Sequence, residues 1–427
     1  MIYSRPIKKV LQLRLAEVPK RIQILAGPRQ VGKTTLVTSL AADRHAASMF
    51  YVATDAPATV EMMQGFDSGP RRNTVAASTR PTDANWLVQQ WSLAQRMAAR
   101  WLESPAYQQW NLPFTLVVDE IQKIPQWSEV VKGLWDQQAG LDGAIHLVLL
   151  GSAPLLLQKG LTESLAGRFE LIRMGHWSFE EMNDAFGVSL DQYVYFGGYP
   201  GSAQYLKDES RWRNYMVASL IEPNLEKDIF MLSRIDKPAL LKQLFEVGCR
   251  YSGQIVSLTK VMGRLQDAGN TTTLTGYLQK LAQAGLLTGL QAYAANEIRK
   301  RGSKPKFQVL NNALLSAMDT YTLAEAQADR THWGRLVESA VGAHLLNTAE
   351  AGTQIYYWRE SDLEVDFIIQ RGHRLAAVEV KSGAIHGEHA GLKEFLKRHK
   401  NCRQWIVGSN ELPLGEFLRY PAAHWVE

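Results

Sequence analysis

Short, continuous apolar runs alternate with amphipathic segments in the N-terminal part of the chain. Ile22–Ala26 leads into a glycine-containing loop, and Thr34–Ala42 then has the period of a helix. Phe114–Val118, Ile145–Leu150 and Phe169–Met174 are three more apolar runs of strand length. Strands that are apolar throughout and are separated by helices are typical of parallel sheets covered on both faces. The predicted fold class is therefore α/β with a parallel sheet.

Helical periodicity replaces this alternation after Gly175. Ser178–Phe186 and Arg211–Leu232 are predicted helices, and the glycine- and proline-containing segment 196–201 separates them as a turn. No strand pattern interrupts this part of the sequence up to about residue 239. We therefore expect residues 176–239 to form a small helical domain that follows the sheet domain of residues 1–175 in the chain.

A compact unit of mixed pattern is predicted for residues 240–325. Gln254–Leu265 and Thr271–Ala284 have helical periods, whereas Leu286–Tyr293 and Phe307–Leu310 have the composition of a strand pair. A helix, a turn, a second helix and a hairpin in this order predict a winged helix.

The last predicted domain comprises residues 326–427 and has an α/β pattern. Trp333–Leu346 has a helical period, and three strand-like runs follow it, Gln354–Trp358, Val365–Ile369 and Leu375–Val380. A helix followed by several short strands predicts a small α/β domain of its own.

Composition narrows the class of protein without identifying it. Hydrophobic residues make up 46% and charged residues 21% of the 427 residues, an ordinary balance for a globular protein of several domains. No apolar run is long enough to cross a bilayer, and the N-terminus lacks the apolar core of a secretory signal. Cys249 and Cys402 are too far apart in sequence to suggest a thiolate metal site. We expect a cytoplasmic protein with no membrane partner.

The loop after the first strand fits the complete phosphate-binding pattern. Its residues are Gly27, Pro28, Arg29, Gln30, Val31, Gly32, Lys33 and Thr34, followed by Thr35. Glycines let backbone N–H groups converge on phosphate oxygens at a helix N-terminus. Lys33 is expected to reach the β- and γ-phosphates of ATP, and Thr34 to place its hydroxyl on Mg²⁺. A strand is predicted before the loop and a helix after it. A chance match in an ordinary turn is therefore the weaker interpretation.

Two acidic residues end the apolar run Phe114–Val118. Asp119 is expected in the Mg²⁺–water shell, and Glu120 is expected to polarise the attacking water. Ser152 ends the next predicted strand, where it would orient water near the γ-phosphate. Arg168 precedes the strand after that and is either an arginine finger for a neighbouring subunit or a surface arginine beside a glycine turn.

These motifs together resemble one prokaryotic family of AAA-type (AAA+) P-loop ATPases. The resemblance is carried by the following stretches: 25–35, Val118–Trp127, Leu149–Ser152, Ser164–Arg168 and Phe196–Pro200. In that family an ATPase core is fused to a C-terminal region labelled a domain of unknown function. The resemblance implies ATP binding with Mg²⁺, an AAA-type core with a helical lid at residues 176–239, and a homo-oligomeric ring, with a hexamer as one form.

Positive charge is concentrated around the predicted winged helix. Residues 211–306 hold 15 Lys and Arg against 7 Asp and Glu. Thr271 and Thr272 begin the predicted recognition helix, and the predicted wing tip contains five cations, Arg299, Lys300, Arg301, Lys304 and Lys306. Such a loop is suited to contact DNA phosphates. The alternative is a solvated basic loop on a module that packs against protein.

Four ionisable residues of the last domain form a pattern similar to the PD-(D/E)xK nuclease-like fold. They are Glu338 on a helix, Asp366 on one strand, and Glu379 with Lys381 on the next. Carboxylates on neighbouring strands suit a divalent cation, and a lysine two residues beyond Glu379 lies on the same strand face. The resemblance implies a second metal site. The alternative is a non-cleaving domain that keeps these residues for structure.

Three functions remain open from the sequence. The first is an ATPase that couples turnover to DNA binding or remodelling. The second is a nucleotide-dependent switch that binds protein partners, and the third is an ATP-gated, metal-dependent nuclease. DNA-stimulated ATP turnover distinguishes the first from the second, and metal-dependent loss of a DNA substrate identifies the third.

Overall fold

A computed structural model describes most of the chain. The described residues are 3–54, 83–138, 144–151, 164–230, 235–265, 269–294, 304–382, 389–408 and 410–427. The chain divides into two compact units, Met1–Met174 and Gly175–Glu427. No helix in these described ranges combines the length and apolarity needed to cross a membrane.

The first unit contains a five-stranded sheet with helices on both faces. Its strands are β1 (Ile22–Ala26), β2 (Met49–Ala53), β3 (Thr115–Asp119), β4 (His146–Gly151) and β5 (Phe169–Arg173). Its helices are α1 (Ile7–Ala16), α2 (Lys33–Ala42), α3 (Ala84–Leu102), α4 (Pro105–Trp110) and α5 (Trp127–Gln137).

All neighbouring strands of this sheet are parallel, in the order β2-β3-β4-β1-β5. Every residue of β1, β3 and β4 is buried. Apolar side chains on one face pack against α3 and α5, and those on the other face pack against α1 and α2. The prediction of an α/β fold with a parallel sheet is confirmed. Because the strands are parallel, their carboxyl ends lie along one edge, which is where the loops after β1, β3 and β4 begin.

The sequence pattern missed one strand of this sheet. The segment Met49–Ala53 was not among the predicted strands, yet it forms the edge strand β2 and pairs with β3 in the register Ala53 to Asp119. An edge strand is covered less completely, and the last three residues of β2 are only partly buried. Its five residues, Met-Phe-Tyr-Val-Ala, are mostly apolar, but the run is short and follows closely on the predicted helix Thr34–Ala42.

The second unit begins with helices. They are α6 (Phe179–Phe186), α7 (Leu190–Phe196), α8 (Glu209–Asn214), α9 (Pro238–Arg250), α10 (Leu258–Met262) and α11 (Thr271–Gln283). The predicted helix at Arg211–Leu232 is α8 continued by two π-helical segments, Tyr215–Ile221 and Asn224–Phe230. The predicted helix at Gln254–Leu265 shortens to α10.

A two-stranded antiparallel sheet follows α11. Its strands are β6 (Leu287–Leu290) and β7 (Lys306–Val309), and residues 295–303 between them lie outside the described residues. The side chains of Leu274, Tyr277 and Leu281 are buried, as expected for the inner face of α11.

The C-terminal part of the second unit is built on a four-stranded sheet. Its strands are β8 (Thr353–Glu360), β9 (Leu363–Arg371), β10 (Arg374–Val380) and β11 (Cys402–Val407), in the order β11-β10-β9-β8. β8, β9 and β10 are antiparallel, whereas β11 is parallel to β10. The helices of this part of the chain are α12 (Asn312–Ala317), α13 (Leu323–Ala328), α14 (Arg330–Thr348), α15 (Ala390–Arg398) and α16 (Leu414–Phe417).

Candidate nucleotide site and acidic cluster

The loop between β1 and α2 has the backbone that phosphate binding needs. Gly32 has φ 88° and caps the N-terminus of α2, and Gln30 also lies in the left-handed region with φ 58°. A Cβ atom on Gly27 would lie 2.1 Å from the carbonyl oxygen of Met174, so only glycine fits there. The tight turn leaves the first N–H groups of α2 without intrahelical partners, which makes this helix end suited to bind an anion.

Lys33 is the first residue of α2, and its side chain folds back across the loop. The ammonium donates hydrogen bonds to the carbonyl oxygens of Gly27, at 2.9 Å, and Pro28, at 2.8 Å. The side chain is buried. The cation therefore lies inside the loop that was predicted to enclose the phosphates.

Asp119 at the end of β3 is joined directly to the loop helix. Thr34 Oγ1 donates a 2.6 Å hydrogen bond to Asp119 Oδ2, and the Tyr51 hydroxyl donates to the same oxygen at 2.8 Å. The backbone N–H of Glu120 donates to Asp119 Oδ1 at 2.8 Å. The carboxylate is thereby fixed in orientation beside Thr34. The sequence did not suggest Tyr51, because its strand was not predicted.

Glu120 leaves the strand with a left-handed backbone, at φ 53°. Glu120 Oε2 accepts a 2.7 Å hydrogen bond from the Gln122 amide, and the Thr54 hydroxyl donates to the Glu120 carbonyl oxygen at 2.9 Å. Gln122 is a second residue that the sequence did not single out, and its closeness to an acidic strand end was the only signal.

The hydroxyl and carboxylate oxygens beside Lys33 fit a magnesium ion. Thr34 and Asp119 supply hard oxygen donors at the N-terminal end of α2, and Mg²⁺ is bound in proteins through one or two such groups together with substrate phosphates. The donor chemistry of this corner of the site therefore agrees with the predicted metal.

The structure pairs Arg168 with a carboxylate of its own chain. Arg168 Nε lies 2.7 Å from Asp136 Oδ1, and its Nη2 donates to Asp136 Oδ2 at 2.9 Å. This two-pronged hydrogen bond lowers the pKa of Asp136 and raises that of Arg168. The sequence offered no hint of Asp136. Ser152, the remaining predicted catalytic residue, lies outside the described residues, directly after Gly151 of β4.

The acidic residues of the second unit surround a lysine. Lys306 Nζ lies 2.6 Å from Glu338 Oε1, 3.7 Å from Glu364 Oε1 and 3.8 Å from Asp366 Oδ1. Its side chain has 0% exposure. Burial opposes its charge, but the carboxylates of Glu338 and Asp366 outweigh this effect and raise the pKa of Lys306. Burial also raises the pKa of Glu338, to about 7, against the effect of Lys306. We call Lys306, Glu338, Glu364 and Asp366 the acidic cluster.

One prediction is therefore wrong. Lys306 does not belong to an exposed basic wing tip, because it is the first residue of β7 and faces inward. The second metal site at Glu338, Asp366 and Glu379 stays a prediction, and within the described ranges no group of three His, Cys, Asp or Glu side chains is arranged to hold a metal ion. Glu379 Oε1 instead accepts a 2.9 Å hydrogen bond from Lys381.

A cationic groove lies between the turn before α10 and the edge strand β8. Its volume is about 870 Å³, and Lys260, Lys304, Arg359 and Arg398 are among its lining residues. Arg359 is near Glu364, at 3.8 Å, and Arg398 pairs with Glu394 and with Glu360, which also lines the groove. In the described part of the chain, Lys260 and Lys304 have no acidic partner within ion-pair distance, and both are exposed. We call this feature the cationic groove.

The other predicted nucleic-acid contacts divide into two groups. Thr271 and Thr272 are exposed in the first turn of α11, where their hydroxyls are accessible. Arg299, Lys300 and Arg301 fall in the segment 295–303, outside the described residues.

Three family models cover almost the whole chain. Residues 19–183 match the model described as an AAA domain. Residues 187–326 match a domain of unknown function (DUF8612), and residues 333–418 match another domain of unknown function (DUF4143). The nucleotide site described above lies within the first match. Lys306 lies within the second, whereas Glu338, Glu364 and Asp366 lie within the third.

Two curated relatives are found in mycobacteria. The chain is 25% identical over 414 residues to uncharacterized protein Mb2031c of Mycobacterium bovis, a match over 95% of this chain and 80% of that protein. Uncharacterized protein Rv2008c of Mycobacterium tuberculosis matches with the same figures. Their names carry no activity.

Two solved structures are similar at a lower level. A variant of RuvB from Thermotoga maritima is 18% identical with a TM-score of 0.31, over 67% of this chain and 90% of that one. AMPPCP-bound DnaA from Aquifex aeolicus is 13% identical with a TM-score of 0.29, over 65% of this chain and 86% of that one. Both scores are too low to establish a shared fold for the whole chain.

Proposed function

We propose that the chain binds ATP with Mg²⁺ and hydrolyses it to ADP and phosphate, as an AAA-type P-loop ATPase whose AAA domain match, residues 19–183, is followed by two regions of unknown function. The observation that carries the proposal is the 2.6 Å hydrogen bond from Thr34 to Asp119. It joins the phosphate loop to the acidic end of β3. These are the two parts of the sequence that a P-loop ATPase requires side by side.

The proposed mechanism assigns a separate task to each charged side chain. The N–H groups of the loop and of the first turn of α2 bind phosphate oxygens, and the Lys33 ammonium exchanges its carbonyl partners for β- and γ-phosphate oxygens. Thr34 and Asp119 would hold Mg²⁺, and the bound ion would neutralise negative charge on the phosphates.

Glu120 is the proposed base. Hydrolysis forms a bond between a water oxygen and the γ-phosphorus and breaks the bond to the bridging oxygen of ADP. The Glu120 carboxylate orients that water and accepts its proton as the new bond forms. The Gln122 amide donates a hydrogen bond to Glu120 Oε2 and thereby helps to orient this carboxylate.

Exchange of Lys33 for alanine tests the nucleotide site. Lys33→Ala removes the ammonium that neutralises the β- and γ-phosphates, and we expect loss of ATP binding and turnover in a chain that remains folded. Lys9→Ala, an exposed lysine of α1, is the matched control. Nucleotide affinity and phosphate release are measured for both variants. A folded Lys33→Ala chain with normal turnover would falsify the site assignment.

We further propose that ATP turnover is coupled to DNA, and the cationic groove is the observation that favours this function. Lys260 and Lys304 extend into solvent without an acidic partner among the described residues, so their charges are available to phosphates. Arg299, Lys300 and Arg301 precede Lys304 closely in the sequence and lie outside the described residues. A protein-binding switch remains the alternative, with a protein partner in place of DNA.

A salt titration distinguishes coupling to DNA from the protein-binding switch. Each phosphate contact on duplex DNA contributes about 0.9 to the slope of log affinity against log salt. The double change of Lys260 and Lys304 to Ala should therefore make the slope shallower by roughly two units. The double change of the exposed residues Lys20 and Lys207 to Ala is the control of equal charge. If the slope is unchanged in the groove variant and DNA has no effect on ATP turnover, the protein-switch function is favoured.

A further inference from the structure

The resemblance to the PD-(D/E)xK fold implies a divalent cation at Glu338, Asp366 and Glu379, and the residues of the acidic cluster do not fit one. We propose that the Lys306 ammonium is the permanent cation of this cluster. On this proposal the cluster is a buried ionic lock that joins the region 187–326 to the region 333–418, and it does not take up a metal ion.

The contacts of Lys306 are those of a cation enclosed on several sides. Besides the carboxylates, Lys306 Nζ donates to the carbonyl oxygen of Asp366 at 3.1 Å. It also lies 4.7 Å from the centre of the Phe367 ring, within the range of a cation–π interaction. An ammonium has three N–H donors, and oxygen acceptors of Glu338 and Asp366 together with this ring surround it.

The position of Lys306 is fixed by its backbone. Lys306 pairs with Leu290 in the β6–β7 ladder and forms a bridge with Ile255 on its other side. The strand is therefore held from both edges at this residue. The side chain enters the cluster from a backbone that is itself paired, and this pairing fixes the position of its Cα atom beside the carboxylates.

Two of the carboxylate oxygens that a metal would need already have partners, whereas Glu379 Oε2 is buried without one. Asp366 Oδ2 accepts a 2.8 Å hydrogen bond from the backbone N–H of Val380, and Glu379 Oε1 accepts one from Lys381. A divalent cation binds carboxylate oxygens at about 2.0–2.6 Å. At that distance from Glu338 it would occupy the volume of the Lys306 ammonium, and the two cations would repel each other.

The lock lies within a wider contact between the two regions. Gln308 of β7 donates a 2.8 Å hydrogen bond to the carbonyl oxygen of Ser339, and the hydroxyls of Ser252 and Ser339 are 2.8 Å apart. A Cβ atom on Gly342 would lie 2.1 Å from Gln308 Oε1, so glycine allows α14 to approach β7 closely. The ionic lock thus continues a polar contact along one face of α14, and we expect the two regions to unfold together.

A metal titration of the full chain tests the proposal. Terbium luminescence is measured without nucleotide in the unaltered chain and in Asp366→Asn, and only the difference between them reports on the cluster. We expect the unaltered chain and Asp366→Asn to give the same terbium signal, because the cluster with Lys306 in place takes up no metal ion. Lys306→Met retains the length of the side chain and removes its charge, and we expect it to gain a saturable signal that Asp366→Asn abolishes. Lys304→Met, an exposed lysine two residues away, should gain none.

Two results of the terbium titration would contradict the proposal. Saturable terbium binding by the unaltered chain that is lost in Asp366→Asn would overturn the proposal. A folded Lys306→Met chain without a gained signal would also overturn it. The lock is measured separately by hydrogen exchange, in which β7 and β9 should lose protection together in Lys306→Met and keep it in Lys304→Met.

A second variant covers the case in which Lys306→Met does not fold. Adding Glu338→Gln removes one of the carboxylates left without a cation, and we expect it to restore folding, since the buried charge is then reduced. Restored folding supports the lock. If neither variant folds, the comparison of the unaltered chain with Asp366→Asn decides alone.

Discussion

Thr34 and Asp119 are 85 residues apart in the sequence, and the hydroxyl of the first donates a 2.6 Å hydrogen bond to the carboxylate of the second. The contact exists because β1 and β3 are parallel strands of one sheet, so the loops that follow them start from the same edge. Tyr51 donates to the same carboxylate oxygen from the edge strand β2. Three segments of the chain thus converge on one carboxylate.

Removal of the Thr34 hydroxyl should raise the Mg²⁺ requirement. Thr34→Val keeps the shape of the side chain and removes one oxygen donor, so we expect half-maximal ATP turnover to need a higher Mg²⁺ concentration. Thr38→Val, one turn further along α2, is the control. The measurement is phosphate release against Mg²⁺ at saturating ATP. An identical Mg²⁺ dependence in Thr34→Val and the unaltered chain would exclude Thr34 as a ligand.

Exchange of Glu120 for glutamine should separate binding from hydrolysis. Glu120→Gln keeps the shape and removes the proton acceptor, so we expect ATP affinity to be retained and turnover to fall by roughly 10²- to 10⁴-fold. Glu129→Gln, an exposed residue in the first turn of α5, should hydrolyse ATP normally. Turnover of bound ATP is followed in a single-turnover experiment. Weak binding combined with normal turnover would contradict the assigned role.

Variants of Arg168 and Asp136 test whether Arg168 is an arginine finger or part of a surface ion pair. If Arg168 acts on the nucleotide of a neighbouring subunit, Arg168→Ala should reduce turnover far more than affinity. Asp136→Asn, which removes only the partner, should leave turnover intact or raise it. Equal small effects of both variants would indicate a surface pair without a catalytic role.

Mixing experiments test the same arginine in trans. Arg168→Ala and Lys33→Ala chains are each expected to be inactive. In mixed assemblies some interfaces pair an intact arginine with an intact phosphate loop, and we expect partial recovery of turnover. Co-assembly is verified with differently tagged chains. A co-assembled mixture that remains inactive argues against action between subunits.

The buried histidine His344 should make the chain sensitive to acid. Burial lowers the pKa of His344 to about 4, against an ordinary value of 6.5, although its Nε2 is hydrogen-bonded to the Tyr420 carbonyl oxygen. The unfolded chain therefore binds more protons between these two pH values. The stability contribution is complete above pH 6.5 and is lost as the pH falls toward 4, by an amount on the order of 3 kcal/mol.

Urea unfolding at pH 7.5 and pH 4.5 measures this contribution. His344→Gln should show a smaller loss of stability between the two pH values than the unaltered chain. The exposed His373→Gln serves as the control for the number of histidines. An equally steep loss in His344→Gln would show that other groups cause the acid sensitivity.

Local patterns were sufficient for much of the nucleotide site. The strand, the glycine loop and the helix after it are contiguous, so the order of residue types between Ile22 and Ala42 predicted the loop geometry. The acidic end of β3 was equally readable, since Asp119 and Glu120 follow a fully apolar strand. Tyr51 and Gln122 could not be predicted, because their roles depend on which strand lies next to β3 and on the turn after it.

The sequence by itself determined the α/β class and the strand, glycine loop and helix of residues 22–42, because each depends on residues close together in the chain. Only the tertiary structure decided what Lys306 does. In the sequence it ends a run of basic residues and resembles the tip of a DNA-binding wing. In the fold it is the first residue of β7, and carboxylates from up to 60 residues away surround it. A buried charge is stable only beside opposite charges, and that requirement is met by contacts that no local pattern contains.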